Sequence, residues 1–204
     1  MSNIDYHPDA LLGSVTTPSG YVPSDFPLGS AVLCRNNAPL LGFAFSLLKR
    51  NLPCCILGRD LGEVLTKTIK SLKPATCQDL QKSIPEWLGR KSRKVKTRAQ
   101  RAALEDRAQC LLTLARSCQS VDEIFDKIEK LFVAEAGPSC VTLSTMHKAK
   151  GLEWEVVAIL DRKLCPSPWA ESYAERIQER NLLFVAVTRT KLHLRYISSN
   201  CWKL

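Results

Sequence analysis

The sequence predicts an α/β fold: a parallel sheet with flanking helices, interrupted by a helical insertion. Three observations predict it. Residues 31–72 alternate apolar runs with amphipathic stretches, the strand-helix-strand-helix rhythm of right-handed parallel units. Residues 76–135 carry only helical periodicity. From 140 onward the strand-and-helix rhythm returns and runs to 197.

The elements follow in order. Residues 1–28 hold four prolines and several turn signals, and read as an extended segment with one short strand at Ser14-Val15-Thr16. AVLC (31–34) reads as a buried strand. A helix from Leu40 to Lys49 follows, capped by Asn36 or Asn37 with Pro39 in its first turn. PCCIL (53–57) is a second strand, ended by Gly58, and Leu61–Leu72 a second helix. These make 29–75 the first part of the α/β domain. Pro74 breaks the rhythm, and 76–136 is the insertion. Its helices lie around Leu80–Leu88, at Ala99–Ser117 and at Val121–Ala134, the last opened by a Ser120/Glu123 capping box. Gly137-Pro138 closes it. The second part, 137–204, holds strands CVTLST (140–145), EVVAIL (155–160) and LHLRYI (192–197), with a helix over 173–187. Trp87, Trp154 and Phe184 read as core residues.

Composition excludes several classes. The chain is 45% hydrophobic and 24% charged, ordinary for a globular protein. No apolar run is long enough to span a bilayer, and MSNIDYHPDA lacks the features of a secretory leader. There are nine cysteines, an odd number, with no C-x-x-C and no zinc-like spacing to the three histidines. The expectation is a cytoplasmic protein with reduced, partly buried thiols and no metal site. The formal charge is +9, and most of it lies in RKSRKVKTRAQRAALEDR (90–107), which has eight basic and two acidic side chains. Such a run is either a solvated helix face or a polyanion-binding surface.

The stretch TLSTMHKAKGLEWEVVAILD (142–161) carries chemistry. A parallel strand ending in Ser144-Thr145 delivers polar side chains to the carboxyl edge of the sheet, where α/β folds place ligands. The turn after it offers an imidazole, ammonium groups and backbone N–H groups to phosphates. Gly151 permits close backbone approach. Glu153 is expected at the same edge, with Trp154 anchoring the next strand. In QERNLLFVAVTRTKLHLRYI (178–197) a helix runs into a strand at Thr188-Arg189. An arginine there projects from a rigid frame toward a phosphate, as arginine fingers do. Taken singly, His147 is a polar turn residue and Arg189 a surface ion-pair partner.

Taken together, the blocks resemble a known family. STMHKAKGLEW resembles motif V and LLFVAVTRTK motif VI of the UvrD/Rep-like superfamily 1 DNA helicases. AVLCRNNAPLLGFAFSLLKRNLPCCILGRDLG (31–62) resembles their motif IVa. The three blocks stand in the family's order. The resemblance implies the C-terminal RecA-like (2A) domain, a P-loop NTPase-type fold without its P-loop half, with 76–136 at the position of a reduced 2B subdomain. It implies that Arg189 contacts the ATP γ-phosphate and stabilises transition-state charge, with Gly151 and Glu153 on the nucleotide side. It assigns Thr145 and His147, with Lys150 beside them, to the single-stranded DNA backbone, and Arg35 and Asn36 to motif IVa.

A complete motor also needs G-x-x-x-x-G-K-[ST] and a strand ending in Asp-Glu. The 204 residues contain no Gly-Lys dipeptide, and VVAILD ends in Asp161-Arg162. The expected function is therefore the C-terminal half of an ATP-dependent DNA helicase, inactive alone. ATP with Mg2+ is shared with a P-loop half in cis or trans, and single-stranded DNA is the other partner. The alternative is a stand-alone nucleic-acid-binding remnant without motor activity.

Overall fold

A computed structural model describes residues 12–201, so the expectation for residues 1–28 falls partly outside the described residues. Seven strands form one sheet: β1 (Ser14–Thr16), β2 (Ala31–Cys34), β3 (Cys54–Leu57), β4 (Phe132–Val133), β5 (Val141–Thr145), β6 (Trp154–Leu160) and β7 (Thr190–Ile197). Their order is β1-β7-β6-β2-β5-β3-β4, and every pairing is parallel. Six helices join them: α1 (Asn37–Leu48), α2 (Arg59–Leu72), α3 (Cys77–Ser92), α4 (Arg98–Ser117), α5 (Val121–Leu131) and α6 (Tyr173–Val187).

The pleat divides each strand between two cores. Val32 and Cys34 of β2 face the larger one, with Ile56, Leu143, Ala158 and Leu160. Ala31 and Leu33 face the smaller one, with Met146, Val157, Ile159 and Leu194. The larger core is covered by α1 to α5. Leu80, Ile84, Trp87, Leu111 and Leu114 of the insertion join Leu40 and Ile69 there, so the insertion packs on the same core as the sheet. Among the described residues the smaller core is covered by α6, the short chain after β5 and Cys165 after β6. Tyr21 and Phe26 pin the N-terminal segment to the larger core, their rings 5.5 Å apart and edge-on, and the Tyr21 hydroxyl donates to the Ser198 carbonyl at 2.5 Å.

Several expectations change in detail. The third insertion helix stops at Leu131 rather than Ala134, because Phe132 and Val133 pair with Ile56 and Leu57 as a sheet edge. Ser120 caps that helix, accepting from the Glu123 N–H at 3.1 Å, and Glu123 accepts from the Gln119 N–H at 2.7 Å. Asn36 occupies the N-cap of α1 without a side-chain cap bond. The acceptor is Asp106 of α4 instead. Phe184 is 69% exposed, overturning its reading as core. The only buried side chain of α6 is Ala186, and Phe184 projects on the opposite side. Trp87 is buried as expected, whereas Trp154 is half-buried against the smaller core.

Candidate functional site

The chain between β5 and β6 positions most of the candidate residues. The two strands are parallel and lie on either side of β2. A parallel partner must begin at the opposite end of the sheet, so residues 146–153 cross its face before β6 can start. Met146 continues the β5 ladder, its N–H donating to Cys34 O at 2.9 Å. A single helical turn follows, with Ala149 N–H donating to Thr145 O and Leu152 N–H to Ala149 O, each at 3.1 Å. Met146 and Ala149 are its buried side, while His147, Lys148 and Lys150 remain exposed. Gly151 ends the turn at φ +85°, with no atom within 4 Å of where a Cβ would stand. The conformation favours glycine, and the open space leaves the backbone approachable.

This crossing divides the candidates. Thr145, at the carboxyl end of β5, stands beside Arg35 and Asn36, which follow the carboxyl end of β2. Glu153 precedes β6 and Arg189 precedes β7, at the amino ends. The two sets lie a strand length apart, on the order of 20 Å. The expectation that Glu153 shares an edge with Thr145 is corrected on this ground.

At the amino end, the chain before β6 and the end of α6 interlock. Trp154 N–H donates to the Arg189 carbonyl at 2.9 Å. The Arg189 guanidinium donates to Val185 O at 2.9 Å, to Leu152 O at 3.3 Å and to Thr188 Oγ1 at 3.1 Å. Three neutral acceptors hold its fork in place. Among the described residues Arg189 makes no ion pair, against its reading as a surface ion-pair partner, and no described carboxylate offsets its charge. Glu153 meets Lys191 at 3.7 Å, both more than half exposed, which makes a weak contact.

At the carboxyl end, Arg35, Asn36, Thr145 and His147 line one groove of about 1030 Å³. Its opposite wall is α4, and its lip is the loop at 167–170. Arg35 is fixed by Glu179 of α6 through Nε to both carboxylate oxygens, at 3.1 and 2.9 Å, and NH2 to Oε1 at 2.8 Å. Ser167 N–H also donates to Glu179, at 2.8 Å. Burial alone would raise the Glu179 pKa, but these donors outweigh it and hold it below the usual glutamate value. The His147 pKa is lowered, first by burial and then by the Arg35 charge, against the opposing pull of Glu179. Lys150 is exposed and is not among the lining residues. Lys148 reaches instead to Asp60 at the start of α2. Asp106, Trp169 and Glu179 also face this groove and were not singled out in the sequence. Only the placement of Trp169 in a Pro/Ser-rich loop marks it in the sequence, and no local pattern marks the other two.

All nine cysteines are free thiols. Cys55 and Cys140 lie with sulfurs 3.0 Å apart, and burial pushes Cys55 up to about 12. No group of three or more His, Cys, Asp or Glu among the described residues could hold a metal ion, and no described helix is long and apolar enough to cross a membrane.

With this geometry in view, a comparison with known families is informative. The model of the UvrD-like helicase C-terminal domain matches residues 85–200, more than half of the 204 residues. The match opens within α3 and takes in β5, the crossing, β6, α6 and β7. It leaves β2 with Arg35 and Asn36 outside.

Proposed function

The chain belongs to the UvrD-like helicase C-terminal domain family, and we propose that it is the half of an ATP-dependent DNA helicase that supplies Arg189 as arginine finger. The observation that carries this reading is the Arg189 guanidinium itself, tethered by three neutral acceptors and without a carboxylate partner among the described residues. A preorganised, uncompensated cation is what a developing γ-phosphate charge requires. Gly151 offers approachable backbone and Glu153 a carboxylate on the chain that Arg189 tethers. When bound, ATP with Mg2+ would supply the phosphoryl group, and Arg189 would meet its charge. The P-loop and the strand ending in Asp-Glu that would hold the ion are not among the 204 residues, and the reading assigns them to a P-loop half, in cis or in trans.

Thr145, His147, Asn36 and Arg35 form the single-strand track at the other end of the sheet, with Lys150 beside it. The crossing at 146–153 joins the two ends in a single turn of chain.

The test is ATP hydrolysis with single-stranded DNA, for the chain alone and mixed with a P-loop half. The expected result is activity only in the mixture, reduced 10³-fold or more by Arg189→Ala, the range for arginine fingers. Arg189-dependent hydrolysis by the chain alone contradicts the need for a partner. A second reading, a nucleic-acid-binding remnant without motor activity, draws on the basic run at 90–107. DNA binding with no hydrolysis in any mixture selects it.

A further inference from the structure

Cys55 and Cys140 belong to neither apolar core. Cys54 and Ile56 of β3, like Val141 and Leu143 of β5, pack on the larger core. The pleat therefore turns Cys55 to the opposite face, where Cys140 meets it. The smaller core on that face draws on β2, β6 and β7 and not on β3. The two sulfurs lie 3.0 Å apart, roughly 1 Å more than a disulfide bond. The backbone on both sides of Cys140 is tethered: Val141 N–H donates to Pro53 O at 2.9 Å, and Gly29 N–H donates to Cys140 O at 3.1 Å. Cys140 stands in the bend before β5, outside the strand, so its side chain can turn further toward Cys55 without breaking the ladder.

The two thiols differ in access. Cys140 is half-buried, within reach of a small oxidant. Cys55 is 7% exposed, and burial pushes it up to about 12, so it remains a thiol at neutral pH and is a poor first nucleophile. The neighbouring Cys54 is committed elsewhere, its thiol donating to Ala44 O at 3.6 Å. Cys165 donates to Glu179 O at 3.4 Å, and Cys34, Cys77, Cys110 and Cys118 lie within the larger core.

We propose that Cys55 and Cys140 form an oxidation site, which a peroxide converts to a reversible intramolecular disulfide stapling β3 to the start of β5. The Cys140 sulfur attacks the O–O bond of hydrogen peroxide. Cys140 becomes a sulfenic acid, and its thiol proton leaves with the other oxygen as water. The Cys55 sulfur then attacks the Cys140 sulfur and expels the hydroxyl, which leaves with the Cys55 proton as a second water. Two thiols lose two electrons, and one peroxide is reduced to two waters. A dithiol reductant reopens the bond by exchange. The bridge joins positions 85 apart and encloses α2 to α5, and closing so long a loop stabilises the folded chain. The proposal is independent of the helicase reading, and its test needs neither nucleotide nor DNA.

The test treats the whole folded chain with hydrogen peroxide, blocks the remaining thiols by alkylation and maps the digest by mass spectrometry. The expected result is a peptide joining Cys55 to Cys140 within one chain, lost on treatment with dithiothreitol. The oxidised chain should melt about 5 °C or more above the reduced one. Cys55→Ser should leave Cys140 as a sulfenic acid that dimedone traps, Cys140→Ser should leave Cys55 reduced, and Cys54→Ser should leave the bridge intact. The mapping is read on the unsubstituted chain and so stands whether or not a variant folds. Cys55 and Cys140 both still alkylated after peroxide, a bridge from Cys140 to any other cysteine or to a second chain, or a bridge that forms only once the chain is unfolded, overturns the proposal.

Discussion

The carboxylate of Asp106 accepts from the Asn37 backbone N–H at 3.0 Å and its Nδ2 at 2.8 Å, and from the Ala38 N–H at 2.9 Å. A residue of the insertion thus caps the first helix of the α/β domain, 69 positions away in sequence. The acceptor supplies what Asn36 does not, and its charge suits the positive end of the helix dipole.

Asp106→Ala should therefore destabilise the chain by about 1–2 kcal/mol, the range for losing a cap together with its charge. Asp106→Asn should recover part of it. Chemical denaturation checks both, with m unchanged if the fold is kept. A loss under about 0.3 kcal/mol in the alanine variant contradicts the capping role.

The Arg35–Glu179 pair predicts a pH dependence. The folded-state pKa of Glu179 is depressed, so its contribution is present above the unfolded value of about 4.3 and is lost as pH falls through the folded value. The stability gap between wild type and Glu179→Gln should be full at neutral pH and should close in acid. Arg35→Ala should cost roughly 2 kcal/mol at neutral pH, less than for a fully buried pair because the partners keep some water contact. A gap that is flat from neutral to acid pH contradicts the assignment.

Gly62 of α2 is held by packing alone. A Cβ there would stand 2.9 Å from Phe132 Cβ and 3.2 Å from Ile128 Cγ2. Alanine normally favours a helix, by about 1 kcal/mol over glycine. Here overpacking should win, and Gly62→Ala should lower stability by roughly 1–3 kcal/mol. A raised Tm contradicts the close approach of α2 to β4.

Much of this molecule was legible in sequence. The strands AVLC and CCIL are short, apolar and bounded by turn residues, and the last insertion helix is opened by Ser120 with Glu123, a local capping signal that the structure realises. The family was legible too, because the blocks at 144–154 and 182–191 are contiguous in sequence and fall within the matched residues. Phe184 was misread for a physical reason: helical periodicity identifies a face and does not say whether anything covers it, and α6 lies on the thinly covered side of the sheet. Phe132 and Val133 were misread as helix because their strand exists only through Ile56 and Leu57, far away in sequence.

What the sequence determined by itself is the α/β class, the order of the elements and the family, since these rest on short-range periodicity and contiguous motifs. The tertiary structure alone decided where the candidate residues stand. The parallel placement of β5 and β6 around β2 forces residues 146–153 across the sheet and sends Thr145 and Arg189 to opposite ends. Packing of α4 against α1 brings Asp106 to Asn37 and, with the loop at 167–170, walls the groove that Trp169 overlooks. Those relations depend on strand order and helix packing, which set contacts between residues that no local pattern connects.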